Sequence, residues 1–201
     1  MSRIRQIVVA LAITGAFCMA YADEPAGTFT DTRDEKTYKT VKIGSKTWMA
    51  ENLNIKTDSS LCYNDDEANC EKYGRLYGWK EALEVCPAGW HLSSRQDWNN
   101  LNEKVGGYKG AGLKLKATSG WDGSGNGTDD YGFSALPGGY RNSKSVFSNA
   151  GNKGHWWTNS DPGKAKAYYR SMSSDKAVPE ETVSIEESKQ GTLFSVRCVA
   201  D

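Results

Sequence analysis

The sequence predicts an α+β fold in which two short helices pack on a twisted, mainly antiparallel sheet with long loops. Two observations support this prediction. Apolar residues recur at helical spacing in two segments between residues 79 and 105. From Gly110 onward the chain is rich in glycine and contains short strand-like segments, a pattern typical of an antiparallel meander.

The amino-terminal segment has the pattern of a secretory signal peptide. Arg3 and Arg5 precede an apolar run over residues 7–17, and an Ala-Tyr-Ala sequence that signal peptidase would cleave ends at Ala22. The apolar run is too short to span a bilayer, so we expect no membrane insertion of the mature chain. The expected organisation is a signal peptide over 1–22, a flexible leader over 23–36 and a single domain over 37–201.

The first elements of the domain are a hairpin and two helices. Val41 and Ile43 alternate with polar residues before Gly44-Ser45, a two-residue turn signal. The first helix would bury Trp79, Ala82, Leu83 and Cys86, which fall at i, i+3, i+4 and i+7. The second begins with a near capping box of Ser94 and Asp97. Its buried face consists of Trp98, Leu101 and Val105.

The charge balance narrows the class of partner. The chain has 25 basic and 25 acidic side chains and a formal net charge of zero. No basic patch stands out, which argues against nucleic acid and against an anionic membrane surface.

The cysteines indicate disulfide bonds in an oxidising compartment. Cys62, Cys70, Cys86 and Cys198 remain after removal of the signal peptide, and four cysteines allow three pairings. Cys62 and Cys70 flank a polar loop that a local bond would close, which leaves Cys86 to pair with Cys198. A zinc site is disfavoured because the cysteines lack C-x-x-C spacing and both histidines lie far from them in sequence.

The segment "GWDGSGNGTDDYGFSALPGGYR", residues 120–141, contains a candidate calcium loop. Asp122, Ser124 and Asn126 occupy alternate positions before Gly127, the spacing that points oxygens at a hard cation. The candidate ligands are Asp122, Ser124, Asn126, Thr128, Asp129 and Asp130. Phe133 stands where a bidentate glutamate belongs, and the alternative is a turn that hydrogen-bonds to itself. Any calcium would be structural.

The aromatic residues supply a candidate ligand-binding patch. Flat rings can bury the apolar faces of sugars. Trp156 and Trp157 are adjacent, so in a strand their side chains would face opposite ways and one ring would point outward. The candidate patch consists of Trp121, Tyr131, Tyr140, Trp156, Trp157 and Tyr168, with Tyr169 as an alternative to Tyr168. The competing interpretation is that these rings pack beneath loops.

Signals for catalysis are few. Residues 132–136 begin like a nucleophile elbow but lack its closing glycine. Neither histidine lies near a candidate nucleophile in sequence. A hydrolase built on a pair of carboxylates stays open because Asp and Glu are plentiful.

Several motifs resemble those of a known family. "YKTVKIGSKTWMAENLN", "LYGWKEALEVCPAGWHLSSRQDWNNL", "NGTDDYGFSALPGGYR", "WWT" and "FSVRCV" occur in that order. Together they resemble the Fibrobacter succinogenes major paralogous domain, a family of exported bacterial proteins, from about Thr28 to Val199. The order W-x-x-A-x-x-x-C, G-x-H-L and W-x-x-L is more remotely similar to C-type-lectin-like domains, in which a helix cysteine pairs with one in the last strand. The resemblance implies that fold, the pairing of Cys86 with Cys198, and a secreted or cell-surface location.

These observations lead to a functional hypothesis. We expect an exported, non-catalytic binding module whose partner is an extracellular glycan or a surface protein. One alternative is a structural component of a cell-surface or adhesive layer. Another is a divergent enzyme on a scaffold like that of formylglycine-generating enzymes, which the isolated position of Cys198 disfavours. Fold similarity by itself assigns no activity.

Overall fold

The computed structural model describes residues 27–160, 167–175, 180–184 and 191–201. The expected signal peptide over residues 1–22 lies outside the described residues.

One sheet of the described chain contains five strands. They are Gly27–Thr30 (β1), Thr37–Ile43 (β2), Lys46–Met49 (β3), Trp90–Leu92 (β5) and Cys198–Ala200 (β12). Their order is β1-β2-β3-β12-β5, and all neighbouring pairs are antiparallel. The expected hairpin is confirmed, because Ile43 pairs with Lys46 across a turn in which Gly44 has a φ of 67°.

The second sheet is mixed. Its described strands are Tyr77–Gly78 (β4), Gly138–Arg141 (β6), Phe147–Ala150 (β7), Lys153–Trp157 (β8), Ala167–Ser173 (β9), Glu180–Ser184 (β10) and Leu193–Phe194 (β11). Their order is β10-β9-β8-β6-β11-β4, and β7 also pairs with β6. Strands β6 and β8 are parallel and the other pairs are antiparallel. The architecture is therefore α+β, as the sequence predicts.

The prediction of a flexible leader over residues 23–36 is wrong for residues 27–36, which are the part that the structure describes. Strand β1 pairs with β2 along its whole length, from Gly27 opposite Thr40 to Thr30 opposite Thr37. The next turn is also fixed, because the buried Asp31 carboxylate forms an ion pair with Arg33 at 2.6 Å. Polar composition suggested flexibility, but backbone pairing and this ion pair give the segment a defined structure.

Four α-helices accompany the sheets within the described ranges, two more than the sequence predicts. They are Glu67–Tyr73 (α1), Trp79–Ala82 (α2), Arg95–Lys104 (α3) and Tyr108–Leu115 (α4), and a short 3-10 helix over Tyr63–Asp65 precedes α1. The capping box of α3 is confirmed, since Ser94 Oγ accepts a bond from Asp97 N at 3.0 Å and the Asp97 carboxylate accepts one from Ser94 N. The expected buried face of α3 is also confirmed. Helix α2 is shorter than predicted, and Leu83 is 40% exposed.

The core consists of two apolar clusters on opposite sides of β8. The first core contains Trp48, Trp98, Phe133 and Trp156, whose rings meet mostly edge to face. The second core contains Tyr77, Trp79, Trp157 and Phe194. Adjacent residues of β8 thus face different cores, and neither face of this strand is open to solvent.

Two disulfide bonds hold the fold together. Cys62 pairs with Cys70 and Cys86 pairs with Cys198, as expected. The second bond joins the loop after α2 to β12, which lies between β3 and β5. Both bonds indicate an oxidising, extracellular environment. Within the described residues, no helix has the length and apolar character needed to cross a bilayer.

Candidate functional site

A small cleft opens where four segments of the chain meet. It has a volume of about 210 Å³. The start of β2, the residues that follow β3, the end of α1 and the segment before β6 form its walls. It is lined by Lys36, Tyr38, Lys39, Ala50, Glu51, Asn52, Asn54, Cys70, Glu71, Lys72, Tyr73, Gly74, Ser134 and Leu136.

The chain can form this cleft because Gly74 allows a close backbone approach. Gly74 ends α1 with a φ of 76°, a conformation that L side chains rarely adopt. A Cβ at this position would lie 2.8 Å from the Asn52 Cβ and 2.9 Å from the Leu53 carbonyl oxygen. Glycine therefore brings the end of α1 directly against the segment after β3.

Asn52 forms a hydrogen-bonded floor beneath the cleft. Its Oδ1 accepts bonds from Trp156 Nε1 at 2.8 Å, from Arg197 Nη2 at 2.9 Å and from Arg197 Nε at 3.1 Å. Its Nδ2 donates to the Tyr73 carbonyl at 2.8 Å. The amide of Asn52 is thereby fixed and links β8, the segment before β12 and the end of α1.

Arg197 places a positive charge below this floor. Its side chain is fully buried, and Nη1 donates to the carbonyls of Met49 at 3.0 Å and Phe133 at 2.8 Å. The guanidinium also lies over the Phe133 ring, 4.5 Å from the centroid. Burial lowers the pKa of Arg197 to about 9, so the group is still charged at neutral pH. Its hydrogen-bond acceptors in the described chain are neutral.

Asn54 contributes to the cleft wall a side-chain oxygen that has no hydrogen-bond partner among the described residues. Its backbone N–H donates to Tyr38 Oη at 3.0 Å, but its buried Oδ1 accepts no hydrogen bond. Burial raises the pKa of Tyr38 to about 12, so its hydroxyl keeps its proton and can donate in turn. A buried acceptor without a donor costs about 1–3 kcal/mol, so its presence beside a cleft needs an explanation.

Ser134 stands at the edge of the cleft and is held by Asp129. The Asp129 carboxylate accepts bonds from Ser134 N at 2.7 Å and from Ser134 Oγ at 2.6 Å. Ser134 has a φ of 52°, which this pair of bonds stabilises. The hydroxyl proton of Ser134 is thus directed to a carboxylate.

The candidate calcium ligands are engaged in other contacts or do not converge. Asn126 Oδ1 accepts a bond from Trp121 N at 3.0 Å, and Asp129 binds Ser134 as described. Thr128 donates to the Leu113 carbonyl, and Ser124 and Asp130 are exposed. Asp122, Asp129 and Asp130 do not bring three carboxylate oxygens within 4.8 Å of one another in the described chain. The geometry favours the self-hydrogen-bonded turn.

Gly127 has a different role from that of the sixth residue of a calcium loop. A Cβ at this position would lie 2.2 Å from the Lys116 carbonyl oxygen and 2.4 Å from that of Leu113. The Gly127 N–H donates to the Ala117 carbonyl at 2.9 Å. The glycine therefore allows the loop to pack against the end of α4.

We predict that 1 mM calcium leaves the melting temperature unchanged, because Asn126 and Asp129 already accept hydrogen bonds and the carboxylates of the segment do not converge in the described chain. The measurement is thermal unfolding with calcium and with a chelator. A ligand present at 100 times its dissociation constant adds about 2.7 kcal/mol of stability. A rise of several degrees would therefore restore the calcium interpretation.

The tryptophans of the expected aromatic patch are buried. Trp121 is 4% exposed, and Trp156 and Trp157 are 0% exposed. Their indole N–H groups donate to the Ala135 carbonyl, to Asn52 Oδ1 and to the Tyr77 carbonyl, respectively. The prediction that one ring of the Trp156–Trp157 pair faces outward is wrong, because both sides of β8 are covered.

The tyrosines of that patch are half-buried and lie apart. Tyr131 packs against the first core and Tyr140 against the second. Tyr168 lies beneath the guanidinium of Arg95, 4.0 Å from the ring centroid. The structure therefore does not bring the six predicted residues together as one surface. Tyr169 also packs against the second core.

His155 lies within an aromatic cluster at the second core. Its ring stacks on Phe194 at 5.0 Å and contacts Tyr140 at 4.9 Å and Tyr169 at 5.7 Å. Its Nδ1 has no hydrogen-bond partner among the described residues. Burial, with a smaller contribution from Lys153, lowers the pKa of His155 to about 3. The imidazole is therefore neutral in the folded protein at physiological pH.

This buried neutral histidine predicts acid sensitivity. An unfolded histidine has a pKa of about 6.5, so the unfolded state binds the proton first as the pH falls. The stabilising contribution is present above pH 6.5 and is lost toward pH 3, by about 2 kcal/mol between pH 7 and pH 5. The measurement is urea unfolding at both pH values for the wild type and for His155→Phe.

The His155→Phe variant should lose less stability than the wild type over this range. His91→Gln is the matched control, since His91 is the chain's other histidine and its Nδ1 contacts Asp201 at 2.7 Å. An equal pH dependence in the wild type and His155→Phe would contradict the prediction.

Sequence reasoning missed the residues that form the cleft. Glu51, Asn52 and Asn54 follow a strand in "WMAENLN", where neither a turn nor a core position explains three polar side chains. Ser134 lies in "FSALPGG". Both segments belong to the motifs that carry the family resemblance, so their unexplained polar residues were an available signal.

Most of the chain matches a known protein family. The Fibrobacter succinogenes major domain matches residues 41–200, which run from β2 to β12 and include most of the residues that line the cleft. A search of curated proteins and a search of solved structures each found no match. The match covers most of the chain and agrees with the motifs noted in the sequence. The chain therefore belongs to the Fibrobacter succinogenes major domain family.

Proposed function

We propose that this protein is an exported, non-catalytic binding module that recognises an extracellular glycan at the cleft beside Asn54. The observation that carries the proposal is the Asn54 Oδ1, a buried acceptor in the wall of an open cleft with no donor among the described residues. The terminal torsion of an asparagine is broad, so the amide can turn toward a ligand. A sugar hydroxyl would supply the missing donor.

The size and lining of the cleft agree with this proposal. Its volume of about 210 Å³ is below the range of about 300–1,000 Å³ typical for drug-sized ligands and suits a single sugar residue. Glu51, Glu71, Asn54 and Ser134 line this space and carry two carboxylates, one amide and one hydroxyl. Carboxylates accept hydrogen bonds from sugar hydroxyls, whereas an amide can both donate to them and accept from them.

Two arrangements support a role without catalysis. Ser134 Oγ is bonded to Asp129, and a nucleophilic serine would instead need a base such as histidine to take its proton. Cys198 is bridged to Cys86 and has no free thiol. A scaffold like that of formylglycine-generating enzymes would use reactive cysteines near the carboxyl terminus.

We also propose that the fold is C-type-lectin-like. Support comes from the bond between Cys86, after a helix, and Cys198, in the last strand. Support also comes from the order of the two helices α2 and α3, which the more remote resemblance implied.

The proposal predicts that Asn54→Ala abolishes glycan binding without loss of stability. The Asn54 side chain contributes no hydrogen bond within the described chain, so we expect the free energy of unfolding to change by less than about 0.5 kcal/mol or to rise slightly. Binding is measured on a glycan array and then by calorimetry with each glycan that scores. Urea unfolding measures stability in parallel.

Asn100→Ala provides the matched control. Asn100 is an exposed asparagine on α3 and lines a different cavity, of about 370 Å³, so its substitution should leave binding intact. Loss of binding in Asn100→Ala but not in Asn54→Ala would show that the glycan binds in that second cavity instead of the cleft. A blank array together with self-association of the protein would favour a structural role in a surface layer.

A further inference from the structure

We propose that the ligand of the cleft carries a carboxylate, as the uronate residues of an acidic glycan do. This inference deepens the proposed function and rests on it. It concerns the charges around the cleft, whereas the proposal above depends on the Asn54 amide.

Three lysines line the cleft, and their ammonium groups form no ion pair within the described part of the chain. They are Lys36, Lys39 and Lys72. Two of them are positioned by tyrosine rings of the cleft. The Lys36 Nζ lies 5.8 Å from the centroid of Tyr38, and the Lys72 Nζ lies 4.7 Å from that of Tyr73. A cation over a ring face is held there by the ring quadrupole.

The buried Arg197 adds a fourth cation below the floor. The acceptors of its hydrogen bonds are the Asn52 amide and two carbonyl groups, so no carboxylate in direct contact offsets its charge within the described chain. Charges interact more strongly through a poorly solvated interior than through water. Arg197 therefore raises the positive potential in the cleft above it.

The nearby carboxylates do not cancel these cations. Glu51 and Glu71 line the cleft, and Asp129 lies close enough to influence Arg197. Glu51 Oε2 already accepts a hydrogen bond from Lys39 N at 2.7 Å, and Asp129 binds Ser134. The three lysines, in contrast, have no carboxylate within ion-pair distance in the described chain, so the carboxylate of a ligand can pair with them.

The same groups can recognise the rest of a sugar ring. A hexuronate has one carboxylate and several hydroxyls. The ammonium groups would bind the carboxylate, while Asn54 Oδ1 and the Glu71 carboxylate would accept hydrogen bonds from hydroxyls. A group with more negative charge, such as a heavily sulfated sugar, would meet repulsion from Glu51 and Glu71.

The experiment compares binding of the full-length mature protein to matched oligosaccharides by calorimetry. The probes are an oligogalacturonate, the same oligomer with its carboxylates methyl-esterified, and an oligosaccharide of equal length in which neutral sugars carry sulfate groups. We expect the oligogalacturonate to bind at least about tenfold more tightly than the other two. We also expect its affinity to fall as salt is raised from about 50 to about 300 mM, because salt screens the attraction between the carboxylates and the lysines.

Lys72→Met tests the assignment at a single residue. It keeps an apolar stem on the Tyr73 ring and removes the charge, so we expect about a fivefold to tenfold loss of affinity for the oligogalacturonate, with no change for its methyl ester. Lys144→Met is the control, since Lys144 is exposed and does not line the cleft.

The outcomes separate the inference from the proposed function. Equal affinity for the acid and its ester, still lost in Asn54→Ala, would overturn the carboxylate assignment while the glycan site stands. Equal affinity for the sulfated probe would overturn it in favour of general anion binding. Absence of binding to every oligosaccharide would overturn both.

Discussion

Replacing Arg197 by alanine is expected to lower the free energy of unfolding by about 4 kcal/mol or more, enough to unfold many domains of this size. The substitution removes the donors to Met49 O, Phe133 O and Asn52 Oδ1, all of them buried. Hydrogen bonds to charged groups are worth about 1.5–3 kcal/mol each, and the lost side chain also leaves a cavity against the Phe133 ring.

The measurement is the urea midpoint, with Arg141→Ala as the matched control. Arg141 lies at the end of β6 and donates to the Gly191 carbonyl at an exposed position, so its removal should cost less than about 1 kcal/mol. Arg197→Met fills much of the same volume without the donors and should fall between these two. Equal midpoints for Arg197→Ala and Arg141→Ala would show that the buried guanidinium does not hold the fold.

Local signals predicted the elements that depend on local chemistry. Gly44-Ser45 specifies the β2–β3 hairpin because a two-residue turn fixes the register of its strands. Ser94 and Asp97 specify the start of α3 because the capping box satisfies backbone donors at that position. The disulfides were also predictable, since Cys62 and Cys70 flank a short loop and leave one other pair.

Helix α4 could not be predicted in the same way. It contains Gly110 and Gly112, and each costs about 1 kcal/mol relative to alanine in a helix. The helix is stabilised by tertiary packing, since Ala111 and Leu115 enter the first core and the loop at Gly127 closes on its end. A helix that is stabilised mainly by contacts with residues distant in sequence shows no clear helical pattern in its own segment.

The candidate site shows the same limit. The sequence predicted a sugar-binding patch from the aromatic rings, because flat rings can bury the apolar faces of sugars. However, β8 is covered on both sides, so Trp156 and Trp157 are both buried. The cleft depends on Asn52, Gly74 and Ser134, which are brought together by the Gly74 approach and by Arg197. Sequence spacing predicts alternation within a strand, but it does not predict which strand faces are covered.

Of the two disulfides, the Cys86–Cys198 bond is expected to contribute more to stability because it connects β12 to the loop after α2. Strand β12 pairs with β3 on one side and β5 on the other, so it completes the five-stranded sheet of the described chain. Cys198 is fully buried in the second core. The bond spans a sequence separation of 112, whereas the Cys62–Cys70 bond spans 8.

The double variant Cys86→Ala/Cys198→Ala should therefore lose about 4–5 kcal/mol, since a longer loop gives the unfolded chain more entropy to recover. The control Cys62→Ala/Cys70→Ala should lose only about 2–3 kcal/mol on the same estimate. Urea midpoints of both variants, with slopes compared to detect a more expanded unfolded state, provide the measurement. If the Cys62–Cys70 variant proved the less stable of the two, the long bond would not be what keeps β12 in the sheet, and hydrogen bonding to β3 and β5 would have to do so alone.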